Sequence, residues 1–342
     1  MSKEHTELTS QEAIAQLRYQ AHEHLQARQW SQAREAFLAL LTYNAQDEDA
    51  LLGVAASLDG LNSFELLYDI AQRLLEINPN SAPALAYKAR ALQKMERISE
   101  ATIANDQALL LDTNLGLAWI NRCGLQLLQG KLPEALRNSY RAVELAPNDA
   151  RGWANKGVAL LNFNRLDEAL EALDQSLALD GAQLFAIQIK CEIFCRIGRM
   201  REVVPLVQRA LELNPIDITS LTQGIQALRT LEMFDSLQEL TKHLIKIMPD
   251  NLFAWENYMR SLRGLGKFEE AIEALDRVIE LDPDDVRFWT MKADTLYRLE
   301  RYREAASIAE RARRIDSEYP PAHRIHEKAL RSMYQRKEKR KR

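Results

Sequence analysis

Residues 150–183 read ARGWANKGVALLNFNRLDEALEALDQSLALDGAQ. Trp153, Gly157 and Leu160 are separated by four and then three residues, so they fall on one face of a helix. Ala169 and Leu173 open a second face of the same kind. The stretch therefore predicts two short helices, each with an apolar stripe and a polar remainder. A small residue on each stripe, Gly157 and Ala169, allows the two helices to approach closely.

Working outward, the same pattern returns every 34 residues. Tryptophans stand at 119, 153, 255 and 289, and prolines at 79, 147, 215, 249 and 283. Two residue types that share one period define a repeat array. With Trp153 as position 4, the units begin at 14, 48, 82, 116, 150, 184, 218, 252 and 286, with no insertion between them. Position 4 is apolar in all nine, from Leu17 to Trp289. Position 8 is mostly small, as in Ala21, Ala55, Ala89, Cys123 and Ala293, and so is position 20, as in Ala33, Ala101, Ala135 and Ala305. Turn residues separate the helices, as in Leu265-Gly266-Lys267 and Asp282-Pro283-Asp284-Asp285. Asp149, Asp250 and Asp285 stand where helix N-caps are wanted, and Thr9-Ser10-Gln11-Glu12 reads as a capping box opening the first helix.

This arrangement resembles the tetratricopeptide repeat. The resemblance implies an all-α, right-handed superhelical solenoid of stacked antiparallel helix pairs. Its expected organisation is a disordered N-terminus over residues 1–9, an array over 10–319, a capping helix over 320–335 and a basic tail over 336–342. Each pair leaves apolar surface that only the next pair covers, so the end of the array needs a polar cap. Residues 184–251 depart from the pattern: they lack tryptophan, carry Ile225 and Leu237 at the small positions, and place Pro205 in the early turns of a second helix.

Composition narrows the function. The 342 residues are 46% hydrophobic and 27% charged, enough for a large core. The tail carries six basic residues and Glu338, so the rest of the chain is net −9 within a total of −4. An acidic body disfavours nucleic acid as the principal partner. Three cysteines make no disulfide framework, no apolar run reaches membrane-spanning length, and residues 1–9 lack a signal-peptide core. A cytoplasmic protein is expected.

On the first helix of each unit, positions 2, 6, 9 and 13 lie opposite the core stripe by the 100° step per residue. The resemblance implies that these positions line a concave groove for a protein or peptide partner. Position 6 is Asn121, Asn155 and Asn257, and an asparagine there carries the donor and acceptor needed to pair with an extended backbone. Arg151 and Arg260 lie on the same face, with Arg263 on its flank, and guanidinium forks suit an acidic segment. Phe185 and Phe253 are candidate apolar anchors. The expected function is a scaffold or adaptor. The alternatives are a regulatory or assembly subunit acting through its convex face or ends, and a nucleic-acid or membrane-linked factor acting through the tail.

The carboxylate clamp by which some members of the family hold chaperone tails is not met. That clamp wants Lys at position 5 and Asn at position 9 ahead of the position-6 asparagine. The units before Asn121 and Asn155 carry Ala86 with Arg90, and Ile120 with Gly124, in those places. No catalytic constellation, metal-binding spacing, cofactor motif or small-molecule substrate site is legible either. His323 and His326 have no third ligand nearby, Cys191 and Cys195 read as packing, and Gly264-Leu265-Gly266-Lys267 lacks the spacing of a phosphate loop.

Overall fold

The computed structural model describes residues 2–339, and these form nineteen helices and no strand. They divide into two units, residues 1–186 and 187–342. The first holds α1 (Ser2–Gln26), α2 (Trp30–Tyr43), α3 (Glu48–Gly60), α4 (Phe64–Ile77), α5 (Ala82–Lys94), α6 (Ile98–Leu111), α7 (Gly116–Leu128), α8 (Leu132–Leu145), α9 (Ala150–Asn162) and α10 (Leu166–Leu179). The boundary falls within α11 (Leu184–Arg196). The second continues with α12 (Met200–Leu213), α13 (Ile218–Thr230), α14 (Phe234–Ile247), α15 (Leu252–Gly264), α16 (Phe268–Leu281), α17 (Val286–Arg298), α18 (Tyr302–Ile315) and α19 (Pro320–Lys339). The architecture is the all-α solenoid of helix pairs that the 34-residue period implies. Within each unit, consecutive helices pack on one another, and first helices also touch across a pair, as α5 does α7 and α17 does α19.

Three positions explain why every unit folds alike. Position 34 is an N-cap: Asp47, Asp149, Asp217, Asn251 and Asp285 each accept a hydrogen bond from a backbone N–H two or three residues ahead, at 2.8–3.0 Å. Asp250, expected as a cap, sits one residue too early; Asn251 takes that role. Position 15 closes the turn between paired helices in the left-handed region: Arg28, Asn62, Glu96, Gly130, Asn164, Gly198, Glu232, Gly266 and Glu300 all have positive φ. In the four units that carry tryptophan, position 4 ties the pair to the turn before it. Trp153, Trp255 and Trp289 donate Nε1–H to the carbonyls of Pro147, Pro249 and Pro283 at 2.7–2.8 Å, and Trp119 does so to Thr113. The shared period of tryptophan and proline is thus one hydrogen bond made repeatedly.

The small positions form the centre of each pair. At positions 8 and 20 every side chain from Ala21 to Ala305 is buried, including the large Ile225 and Leu237. At Gly157 an added Cβ would stand 2.8 Å from Leu173 Cγ and 3.3 Å from the Ala169 carbonyl, so no side chain fits there without displacement. Helix α12 runs through Pro205 with one internal hydrogen bond fewer.

The termini differ from expectation. Helix α1 begins at Ser2, so residues 2–9 extend the first helix instead of lying outside it, and the stretch expected as a capping box falls inside that helix. At the other end α19 continues to Lys339, past the residue 335 expected as its limit, and residues 340–342 lie outside the described residues. It packs on α17 and α18 with Ala322, Ile325 and Ala329 buried and Arg324, Lys328 and Arg331 exposed.

Candidate partner-binding groove

The inner face of the first unit is occupied by its own side chains. Asp59, at the end of α3, is buried and pairs with Arg90 of α5 at 3.1 Å and with Arg151 of α9, 92 residues away. Arg151 also grips Asp149, with Nη2 at 2.6 Å and Nε at 3.0 Å. Burial disfavours the Arg151 charge, but Asp59 and Asp149 outweigh it and hold the guanidinium well above its usual range. Burial also pushes the neighbouring Tyr87 phenol up. A second long-range pair, Arg28 with Asp180 at 3.4 Å, joins the first and last helix pairs of this unit. Arg151, expected to meet a partner, is therefore engaged by two carboxylates of its own chain.

The position-6 amides are also turned inward. Asn121 Nδ2 donates to the Ala86 carbonyl at 2.9 Å and Asn155 Nδ2 to the Ile120 carbonyl at 3.1 Å. Gln223 Nε2 does the same to Gln188 at 3.1 Å. Each amide joins its helix to the first helix of the preceding pair. Asn257 breaks the series by donating within its own helix, to Phe253 at 2.7 Å. Asn121 and Asn257 are buried, and the Oδ1 atom of each has no partner. Gln223 acts as the asparagines do, and the recurrence of a carboxamide at position 6 is the mark it leaves in the sequence.

In the second unit the inner face is open and basic. Two adjoining depressions, of 560 and 330 Å³, share Arg260, Arg263 and Met291 in their walls. Arg229 and Arg298 border the smaller one; Arg287, Arg324 and Lys328 border the larger. Seven cations thus line these walls with three carboxylates, Glu232, Glu256 and Asp294, and Arg287 is also paired with Asp285 outside them. Arg260 pairs with Glu256 at 2.7 Å, while Arg263 and Arg298 share Asp294 at 2.6 and 3.1 Å. Burial lowers the affinity of the Arg263 guanidinium for its proton, Asp294 opposes this, and its Nε has no partner. Arg229 and Arg324 have no carboxylate partner among the described residues. Of the expected anchors, Phe253 is half-buried against the α13–α14 core, and Phe185, in the first unit, is exposed.

The remaining candidates for chemistry are quiet. Burial pushes the Cys123 and Cys191 thiols up to about 12 and raises that of Cys195. Among the described residues there is no cluster of three metal-ligating side chains, and no helix is long and apolar enough to cross a membrane.

A fold of helix pairs in 34-residue register, with an open charged inner face, defines a repeat protein of the tetratricopeptide class. The family model for the tetratricopeptide repeat matches residues 125–183 and 260–320. It is similar to a DnaJ homolog subfamily C member 7 homolog of Schizosaccharomyces pombe, 24% identical over 184 residues that cover 49% of this chain and 38% of the relative. It is similar also to Hsp70-Hsp90 organizing protein 3 of Arabidopsis thaliana, 25% identical over 36% of this chain and 22% of the relative. The chain thus spans well under half the length of these relatives. Among solved structures, Pseudomonas aeruginosa pilF aligns with a TM-score of 0.51 at 21% identity, over 64% of this chain and 98% of that one. A chain of the APC/C hetero-tetramer Cut9-Hcn1 aligns with a TM-score of 0.50 at 16% identity, over 87% of this chain and 59% of that one. These two likenesses concern the fold.

Proposed function

We propose that this protein is a non-catalytic adaptor that holds an extended acidic segment of a protein partner along the inner face of its second unit. The observation that carries this reading is the excess of cations over carboxylates in the walls of the two depressions. Arginine forks recognise carboxylates in pairs, and a basic lining on an acidic protein selects an acidic partner over a basic one. Arg260 and Arg263 are the groove residues foreseen in the sequence that support it. The similarity to Hsp70-Hsp90 organizing proteins supports the adaptor reading, but the clamp residues are missing from the units ahead of Asn121 and Asn155, so a chaperone tail is not the segment proposed.

The test is affinity capture with the intact chain against Arg229→Glu/Arg260→Glu/Arg298→Glu, read by mass spectrometry, with helicity checked by circular dichroism. Partners that carry acidic segments and are lost from the folded variant are expected. An unchanged set of partners overturns the reading.

A second reading has one observation behind it. On α6, Ile103 and Leu110 lie two turns apart and are 61% and 85% exposed, an apolar outer face suited to assembly in a larger complex. Partners lost from Ile103→Asp/Leu110→Asp and kept by the groove variant would favour it.

A further inference from the structure

We propose that the 560 Å³ depression between α15, α17 and α19 is an anchor pocket, which takes one bulky apolar side chain of the acidic segment while the surrounding cations hold its carboxylates. This rests on the groove reading above and adds a side-chain requirement to it. The pocket opens where the carboxamide series ends. Position 6 is Asn121, Asn155 and Gln223 where neighbouring first helices are joined, but Met291 on α17 and Ile325 on α19. Neither side chain donates a hydrogen bond, so these two helices, like α11 with Ile189, present apolar side chains at the position where α7, α9 and α13 make a bond between repeats.

The lining is laid out as floor and rim. Phe288 and Ile325 are 2% and 7% exposed and form the floor with Met291, while Tyr319 and Pro321 close one side. Around them stand Arg260, Arg287, Arg324 and Lys328. Glu256 is committed to Arg260 and Asp294 to Arg263, while Lys328 lies over the Tyr297 ring at 4.5 Å. Arg324 therefore faces the pocket with its charge uncompensated by any carboxylate of the described residues. An apolar anchor in such a floor gains from leaving water, and flanking carboxylates gain from the rim. A basic or purely polar segment gains neither.

The test uses the intact chain and fluorescein-labelled peptides of Asp and Glu carrying one central Phe, with a Phe→Ala peptide and an all-Lys peptide for comparison, read by fluorescence anisotropy. The Phe peptide is expected to bind ten- to a hundredfold more tightly than the Ala peptide, roughly what burial of a phenyl ring supplies. Met291→Trp, which fills the pocket, should abolish that preference yet keep the binding of the Ala peptide. Arg324→Glu/Lys328→Glu should weaken both acidic peptides. Circular dichroism establishes that the variants fold. Equal affinity for the Phe and Ala peptides, or a preference that survives Met291→Trp, overturns the pocket and leaves the basic groove standing. Failure of every acidic peptide to bind, or a preference for the Lys peptide, overturns both.

Discussion

Nε2 of His323 stands 2.7 Å from the carbonyl oxygen of Ser317, the relation that Trp289 Nε1 has to the Pro283 carbonyl one repeat earlier at 2.8 Å. His323 lies 34 residues after Trp289. Helix α19 is thus the first helix of a tenth unit, set by the same bond and serving as the cap. Trp289→Phe keeps an aromatic ring but leaves the Pro283 carbonyl without its donor, and should cost about 1 kcal/mol. His323→Phe should cost less, because its hydrogen bond is exposed where that of Trp289 is partly buried. Urea titrations followed by circular dichroism measure both, and equal losses would contradict the order.

The inter-helix turn offers a gain. Glu96, Glu232 and Glu300 hold φ between 55° and 61°, a region that crowds the Cβ of an L residue, whereas Gly130, Gly198 and Gly266 occupy it without strain. Each Glu→Gly exchange should therefore stabilise the protein by about 0.5–1 kcal/mol, after the extra freedom of glycine in the unfolded chain is set against the relieved strain. Raised thermal midpoints, approximately additive across the three sites, are expected; lowered midpoints would contradict this.

Acid should act through the caps. The Arg18 hydrogen bond holds the Asp47 carboxyl below its usual range, and the Arg287 hydrogen bond does so for Asp285. Burial raises Asp149 and Asp217, but Arg151 in one case and Ser220 with Gln188 in the other more than offset it. A carboxyl whose folded pKa lies below its unfolded value near 3.9 stabilises the fold above that value and loses the contribution as pH falls through the folded pKa. The thermal midpoint should therefore hold from pH 7 to about 5 and fall steeply below about 4. Asp47→Asn/Asp285→Asn should flatten the fall, and an acid limb of unchanged steepness in that variant would count against these groups.

Asp59→Asn should be among the costliest single changes. It keeps the shape of the side chain but leaves Arg90 and Arg151 without their shared counter-charge in a buried site, at a cost of about 3 kcal/mol. The double change Asp59→Asn/Arg151→Gln should cost less than the two singles together, and strict additivity in a thermodynamic cycle would show that the pair is not coupled.

Much of the fold was legible in the sequence because packing at positions 4, 8 and 20 repeats in register, and burial there admits few residue types. Trp153, Gly157 and Ala169 announce their neighbours wherever they stand. The inner face was less legible. A polar residue opposite the core has either solvent or a neighbour to meet, and its own helix does not say which. Asn155 finds the Ile120 carbonyl because α7 lies beside α9, and Arg151 finds Asp59 because four pairs bring α3 and α9 together. Arg260 and Arg263 line an open depression, yet each also meets a carboxylate of its own chain, Glu256 or Asp294. Such outcomes depend on spacing between helices, which one helix period cannot convey.

The bridge from Asp59 to Arg151 also bears on how such a gene can change. Arrays of equal modules lengthen and shorten by duplicating or dropping a copy, and a chain held together by adjacent contacts alone tolerates this anywhere. Here any copy gained or lost between residues 59 and 151 would pull the two charges out of reach and leave the buried Asp59 with one partner fewer. The copy number of that stretch is thereby locked.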